Sequence, residues 1–312
     1  MTVYTVFTGG TISCSRTGGA LSPDAKNGYL LLDLAKQAGV EAAFITTQPY
    51  AILSENLTAD RLRALRACLE KAIKSGYDRI IVTHGTDTLA YAAAYLDYVL
   101  GASAAAIVLV SANYPLSDSR SNGVQNFVDA ARFLESSGEK GVFVAYRNTG
   151  DAFTAIHRGR EVMPQAPCED SLFSLFDSPF GCIRDGAFCR NADRRERDRE
   201  DLSDCELNGR VIWLRAHVGM TCPDIPKNTK AVLLEGYHSG TLPTADPEFR
   251  AFCLSAAEME VPIFLTGDRG GFDYESKALY RELGIRVLPP MSPTAAYVRV
   301  WLASNQQLMI NN

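Results

Sequence analysis

Two short stretches set hydroxyl groups beside glycines at the ends of apolar runs. Thr8-Gly9-Gly10-Thr11-Ile12 follows the run at residues 3–7, and His84-Gly85-Thr86-Asp87-Thr88 follows Arg79–Thr83. A turn needs glycine but does not need a threonine on either side. Threonine offers an uncharged hydroxyl nucleophile for a carbonyl carbon, provided a neighbour activates it. Paired glycines let the backbone take positive φ and approach a ligand closely. Neither stretch has the G-x-G-x-x-G spacing of a dinucleotide site or the Gly-Lys-Ser/Thr of a phosphate loop. Alone, the first stretch is also what an ordinary turn looks like, and Asp87 or Thr88 is also a natural helix N-cap. A helix beginning there presents free N–H groups and a positive dipole end, suited to a carboxylate or an oxyanion.

The surrounding chain supplies the elements that must hold these turns. Continuous apolar runs at Arg79–Thr83, 105–110 and Gly141–Tyr146 are patterned like strands covered on both faces. Between them, residues 58–75 carry Leu62, Leu65, Leu69, Ala72 and Ile73 at helical spacing, with Gly76 as a stop. After the second turn, Leu89, Ala92, Ala93, Leu96, Val99 and Leu100 form an apolar helical face. Such alternation predicts an α/β fold, with a parallel sheet and helices on both faces. In an open parallel sheet ligands bind beyond the carboxyl ends of the strands, where both turns fall.

Residues 1–189 form the predicted N-terminal domain carrying both turns. Residues 190–209, rich in charges of both signs and lacking an apolar stripe, read as a solvated linker. From 210 to 312 the rhythm resumes in shorter form, predicting a smaller C-terminal α/β domain with helices at Pro247–Glu258 and 294–302.

Composition narrows the function classes. The chain has 312 residues, a net charge of −5, eight cysteines and four histidines. An acidic chain without a basic stripe argues against nucleic acid as a partner. No apolar run has the roughly 18–20 residues of a membrane helix, and no signal peptide is evident, so the expectation is a cytoplasmic protein with no membrane partner. The cysteines form no C-x-x-C pair and are expected as free thiols. His217 and His238 lack metal-ligand spacing, so neither a metal nor another cofactor is expected. His84 is expected to be structural, positioning its turn through hydrogen bonds.

The ordered pair TGGTI and HGTDT, about 75 residues apart, resembles the bacterial-type L-asparaginases of the asparaginase/glutaminase family. The segments SANYPL (111–116), RSNGVQNF (120–127) and EGY (235–237) extend that resemblance along nearly the whole chain, and the missing leader is similar to the cytoplasmic type I subgroup. The resemblance implies an amidohydrolase that converts L-asparagine to L-aspartate and ammonia through an acyl-enzyme, acting on a small amino-acid amide. It implies Thr11 as nucleophile, Thr86 as a second activating threonine and Asp87 as the acid gripping the substrate's α-amino group. It further implies Ser54 and Glu55 as the pair recognising the amino-acid head, with Gly85 and the carbonyl of Ala112 also binding substrate. A homodimer or homotetramer is implied as well. This division of labour suits a zwitterionic amide, which needs an acid for its ammonium, N–H donors for its carboxylate and a neutral nucleophile at the far end.

Two family side chains have no match. Where the family places a tyrosine the chain has Ala20 or Leu21, and Tyr29 is the nearest tyrosine. Where the family places the lysine of its relay the best-aligned residue is His157, beside Arg158. With an ordinary histidine pKa near 6.5, a relay through His157 predicts activity that changes across neutral pH. These departures keep two alternatives open: a catalytically impaired relative that binds an acidic amino acid, and an amidase for another small amide.

Overall fold

The computed structural model describes residues 1–17, 20–23, 25–195, 200–271 and 273–303. The chain divides into two compact units, residues 1–203 and 204–312.

In the first unit the strands are β1 (Thr2–Phe7), β2 (Cys14–Thr17), β3 (Ala20–Pro23), β4 (Ala43–Thr47), β5 (Arg79–Thr83), β6 (Ala106–Val110), β7 (Gly141–Tyr146), β8 (Thr154–Arg158), β9 (Gly181–Arg184) and β10 (Ala187–Arg190). The helices are α1 (Ala25–Gln37), α2 (Ala59–Lys74), α3 (Leu89–Leu100) and α4 (Gly123–Ser136). An eight-stranded sheet runs β10-β9-β8-β7-β6-β5-β1-β4, while β2 and β3 make a separate hairpin. From β4 to β7 neighbouring strands are parallel. β8, β9 and β10 then extend the sheet antiparallel. The parallel core is the one expected from the apolar runs; the antiparallel extension was not expected, because these three strands carry none of the continuous apolar signal of β5–β7.

Strand order fixes where the chemistry belongs. The chain leaves β1 for β4 on one side and returns to β5 on the other, so the winding reverses between β1 and β5. The loops after the carboxyl ends of these two strands diverge, and open α/β sheets bind ligands in that crevice.

Burial explains the central elements. Every residue of β6 and β7 is buried. Phe127 and Phe133 of α4 pack with Phe143, Ile156 and Phe180 in one apolar cluster on the sheet. Thr58 caps α2 by accepting from the Arg61 amide, and Leu62, Leu65, Leu69 and Ala72 form its buried stripe. α3 is buried on nearly all sides rather than on one face.

The charged stretch from 190 is not simply solvated. Arg190 closes β10 opposite Gly181. Arg194 pairs with Glu161 at 2.8 Å with both side chains buried, and the Leu202 amide donates to the Tyr98 carbonyl. Arg190 and Arg194 pair with Glu139 and Glu161 of the first unit, long-range contacts that carry no apolar stripe in the sequence. Residues 196–199 of this stretch lie outside the described residues.

The second unit is a four-stranded parallel sheet of β11 (Arg210–Arg215), β12 (Thr229–Glu235), β13 (Ile263–Thr266) and β14 (Ile285–Val287), in sequence order. Its helices are α5 (Pro247–Glu258), α6 (Glu275–Ala278) and α7 (Pro293–Leu302). Asp246 and Ser292 cap α5 and α7 through their side chains, each followed by proline.

Candidate active site

Three turns of the first unit meet at the switch point. After β1, Gly9 and Gly10 take φ of 102° and 77°, in the left-handed region. The Gly10 amide donates to the Ile52 carbonyl at 2.9 Å, and the Ile52 amide to the Thr8 carbonyl at 3.1 Å. A Cβ on Gly10 would stand 2.3 Å from the Gly85 nitrogen, and one on Gly85 would stand 2.4 Å from Ser54 Oγ. Neither position has room for a side chain. The glycines are therefore a matter of approach as well as of conformation: the Gly10 and Gly85 backbones and the Ser54 side chain touch where any Cβ would force them apart.

Thr11 opens a single 3₁₀ turn, Thr11–Ser13. It lies between Gly10, packed on Gly85, and Ile12, whose side chain is 3.3 Å from where a Gly123 Cβ would stand. The same Gly123 position lies 2.8 Å from Cβ of Ala112, so the loop after β6 reaches this point too. Glu55 is exposed at the tip of the 3₁₀ turn Ser54–Asn56. The Cys14 thiol, raised in pKa mainly by burial, feels the Glu55 carboxylate as a second influence.

Thr86–Thr88 forms another 3₁₀ turn leading into α3. The capping role expected of Asp87 or Thr88 is not what the structure gives. Thr88 occupies the N-cap position of α3 without a side-chain cap bond. Its hydroxyl donates to the Ser54 carbonyl at 2.9 Å, while Ser54 Oγ donates to Asp87 Oδ2 at 2.9 Å. Both side chains tie the second turn to the third. Asp87 is exposed, and its other oxygen retains its lone pairs as acceptors.

A cleft of about 770 Å³ opens beside Thr86 and Asp87, lined also by Asn113, Tyr114, Tyr146, Thr149 and residues 165–171. Thr11 is not among its lining residues; its place at the site comes from the contacts of Gly10 and Ile12. The loops after β6 and β7 are stitched by α4. Asn126 donates to the Ser111 carbonyl and accepts from the Arg147 amide. Asn122 accepts from the Asn113 amide and donates to the Arg147 carbonyl. The Tyr146 hydroxyl donates to the Asp170 carbonyl at 3.0 Å, and burial raises its pKa.

His157 receives a different place from the relay position. It lies in β8 opposite Val144, 2% exposed, with Nδ1 hydrogen-bonded to Ser174 Oγ at 2.8 Å. Burial pulls its pKa down to about 4, so the ring is neutral at pH 7. Among the described residues no hydrogen bond or ion pair joins it to Thr11, Thr86 or Asp87. It braces the neck of the 165–171 loop, where Val162 bridges Ser174. Its burial and its bond to Ser174 set it apart from the relay position that the resemblance implies. Arg158 stacks on Phe143 and Phe180, away from the cleft lining, and no lysine lines the cleft. Tyr29 sits on α1 at 63% exposure, and the side chains of Ala20 and Leu21 lie outside the described residues.

Gln165 and the acidic pair Glu169 and Asp170 carry no signal in the sequence. They sit in a loop that the antiparallel return through β8 brings to the cleft. Among the described residues no group of three or more His, Cys, Asp or Glu side chains is placed to hold a metal ion, and no helix is long and apolar enough to cross a membrane.

Comparison with known proteins decides the family. A family model described as asparaginase, N-terminal, matches residues 2–180, more than half of the chain. The chain belongs to the asparaginase family. The thermostable L-asparaginase from Thermococcus kodakarensis shares the asparaginase fold at a TM-score of 0.77 and 22% identity, over 96% of this chain and 92% of that one. A probable cytoplasmic L-asparaginase from Campylobacter jejuni superposes with a TM-score of 0.75 and 20% identity, over 96% and 94% of the two chains. Curated relatives include a glutamyl-tRNA(Gln) amidotransferase subunit of Pyrococcus furiosus, 26% identical across 96% of this chain and 71% of the relative. The subunit of the same name from Pyrococcus horikoshii is 25% identical over 83% of this chain. There the match spans 61% of the relative's length, less than two thirds.

Proposed function

We propose that this member of the asparaginase family hydrolyses L-asparagine to L-aspartate and ammonia. The observation that carries the reading is the contact of three turns, Gly10 on Gly85 and Ser54 on Asp87. In this reading Thr11 Oγ1 attacks the side-chain amide carbon, helped by Thr86. The C–N bond breaks, the hydroxyl proton leaves with ammonia, and water then hydrolyses the acyl ester to aspartate. Asp87 takes the α-ammonium, Ser54 and Glu55 the rest of the amino-acid head, and the Gly85 backbone the substrate beside them. The carbonyl of Ala112 receives the amide nitrogen. Assembly into a homodimer or homotetramer is part of the same proposal.

The test is ammonia release from asparagine, glutamine and other small amides. Thr11→Ala should lower kcat by more than about 10³-fold, as loss of a nucleophile does in a covalent mechanism. A Thr11→Ala protein with undiminished turnover removes the assignment. Aspartate that raises Tm while no amide is consumed would instead favour the impaired, amino-acid-binding alternative.

The amidotransferase subunits among the relatives favour a second reading: an amidase that supplies ammonia within a larger complex. Preference for glutamine, with turnover that rises on addition of a co-purifying protein, would select it.

A further inference from the structure

His84 lies behind the site and connects two of its turns, with a link onward to the third. Nδ1 is 3.0 Å from Thr8 Oγ1, and Nε2 is 3.2 Å from Thr88 Oγ1. Thr8 precedes the Gly9-Gly10-Thr11 turn and also donates to the Thr83 carbonyl at 2.6 Å. Thr88 also donates to the Ser54 carbonyl at 2.9 Å. The result is one chain of contacts: Thr83 carbonyl, Thr8, His84, Thr88, Ser54 carbonyl.

Its protons can be counted. Both ends are carbonyls and only accept. Four contacts need four protons. The two hydroxyls supply one each, and a neutral imidazole supplies one more. Burial holds His84 neutral, with its pKa lowered to about 4 against a smaller opposing pull from the Thr88 backbone. One contact is therefore always without a proton. The 2.6 Å contact of Thr8 with Thr83 is the shortest and joins two fully buried residues, so it keeps its proton. Thr8 then has only lone pairs for the ring, and Nδ1 must be the donor. The missing proton falls on the other side, where the Thr88 hydroxyl serves either Nε2 or the Ser54 carbonyl. The rival tautomer, with the proton on Nε2, would make Thr8 give up the Thr83 carbonyl.

We propose that His84 is a positioning residue, protonated on Nδ1, that holds the Thr11 turn rigidly through Thr8 and the Ser54–Asp87 grip loosely through Thr88. The proposal rests on the amidohydrolase reading of those two turns. It divides the ring's influence: the Nδ1 side governs the nucleophile and so kcat, and the Nε2 side governs recognition of the amino-acid head and so KM.

Two measurements test it. The first is the ¹⁵N spectrum of the labelled protein's histidine rings, with the His84 signals identified by their loss in His84→Asn. A neutral ring protonated on Nδ1 from pH 6 to 8 supports the proposal, and one protonated on Nε2 or on both nitrogens overturns it. This readout stands whether or not the protein turns over an amide. The second is steady-state kinetics. An asparagine amide at 84 can replace Nδ1–H, and a glutamine amide reaches toward the Nε2 position. His84→Asn and Thr88→Val should raise KM about fivefold with kcat nearly kept; His84→Gln and Thr8→Val should lower kcat about fivefold, each the size of one lost hydrogen bond. Equal effects of His84→Asn and His84→Gln on both constants would reduce the ring to a packing role. Loss of the split with Thr11→Ala still inactive sinks this proposal alone, whereas an active Thr11→Ala sinks the amidohydrolase reading.

Discussion

Asp87 shows how little a residue's type says about its partner. From sequence it is a helix cap or an acid for an ammonium group; in the fold its Oδ2 accepts from Ser54, 33 positions away. If Asp87 binds the α-ammonium with Ser54 holding it, Asp87→Asn should cut kcat/KM by about 10²-fold, since a hydrogen bond to a charge contributes about 1.5–3 kcal/mol. Ser54→Ala should cost about tenfold, mostly in KM. Kinetics with asparagine check both, and an Asp87→Asn enzyme with unchanged KM would remove the carboxylate from recognition. The two threonine turns stand out in the sequence because a hydroxyl beside glycine is an unusual use of a turn. The role expected of His157 was not sustained, because alignment by position cannot see burial. A histidine covered on both sides of a strand is held neutral by burial, whatever its sequence neighbours are.

At the scale of elements, the site depends on turns that touch through glycine. Gly10→Ala forces a methyl to within 2.3 Å of the Gly85 backbone at a φ of 77°. Positive φ alone costs a non-glycine residue about 1 kcal/mol, and overpacking adds about 1–3 kcal/mol. The variant should unfold at lower denaturant concentration and lose most of its turnover, while an alanine at Gly39, where nothing stands within 4 Å, should pay only the conformational cost and keep its activity. Urea unfolding and ammonia release on both variants make the comparison; equal activity losses would show that the close approach is not what matters. Strands β5, β6 and β7 were legible as continuous apolar runs, as was the stripe of α2. The antiparallel strands β8–β10 were not, since strands of four or five residues that mix apolar with polar and charged side chains have no pattern to distinguish them from loops. The stitching by Asn122 and Asn126 was equally hidden: RSNGVQNF carries a family resemblance, but its hydrogen bonds run to the ends of other strands.

For the whole molecule, two buried histidines tie stability to pH. His84 and His157 are both held near pKa 4, below the ordinary value of 6.5, by burial. Between pH 6.5 and 4 the unfolded chain binds protons at these positions that the folded chain does not. Stability present above pH 6.5 is therefore lost as the pH falls toward 4, on the order of 3 kcal/mol for each ring. The urea midpoint should drop between pH 7 and pH 5, and His157→Gln should flatten that drop without changing the pH profile of kcat. An unflattened drop would mean that His157 is solvated in the folded protein, and a shifted kcat profile would return it to the mechanism.

By itself the sequence determined the α/β class, the strands of the parallel core, and two threonine turns of an asparaginase-like pattern. These depend on local signals: apolar runs, helical spacing, and glycines flanked by hydroxyls. Tertiary structure alone decided that the winding reverses between β1 and β5, that Ser54 reaches Asp87, and that the loop at 165–171 rather than His157 completes the cleft. Each of these is a contact between residues far apart in the chain, set by strand order and burial, which no local pattern encodes.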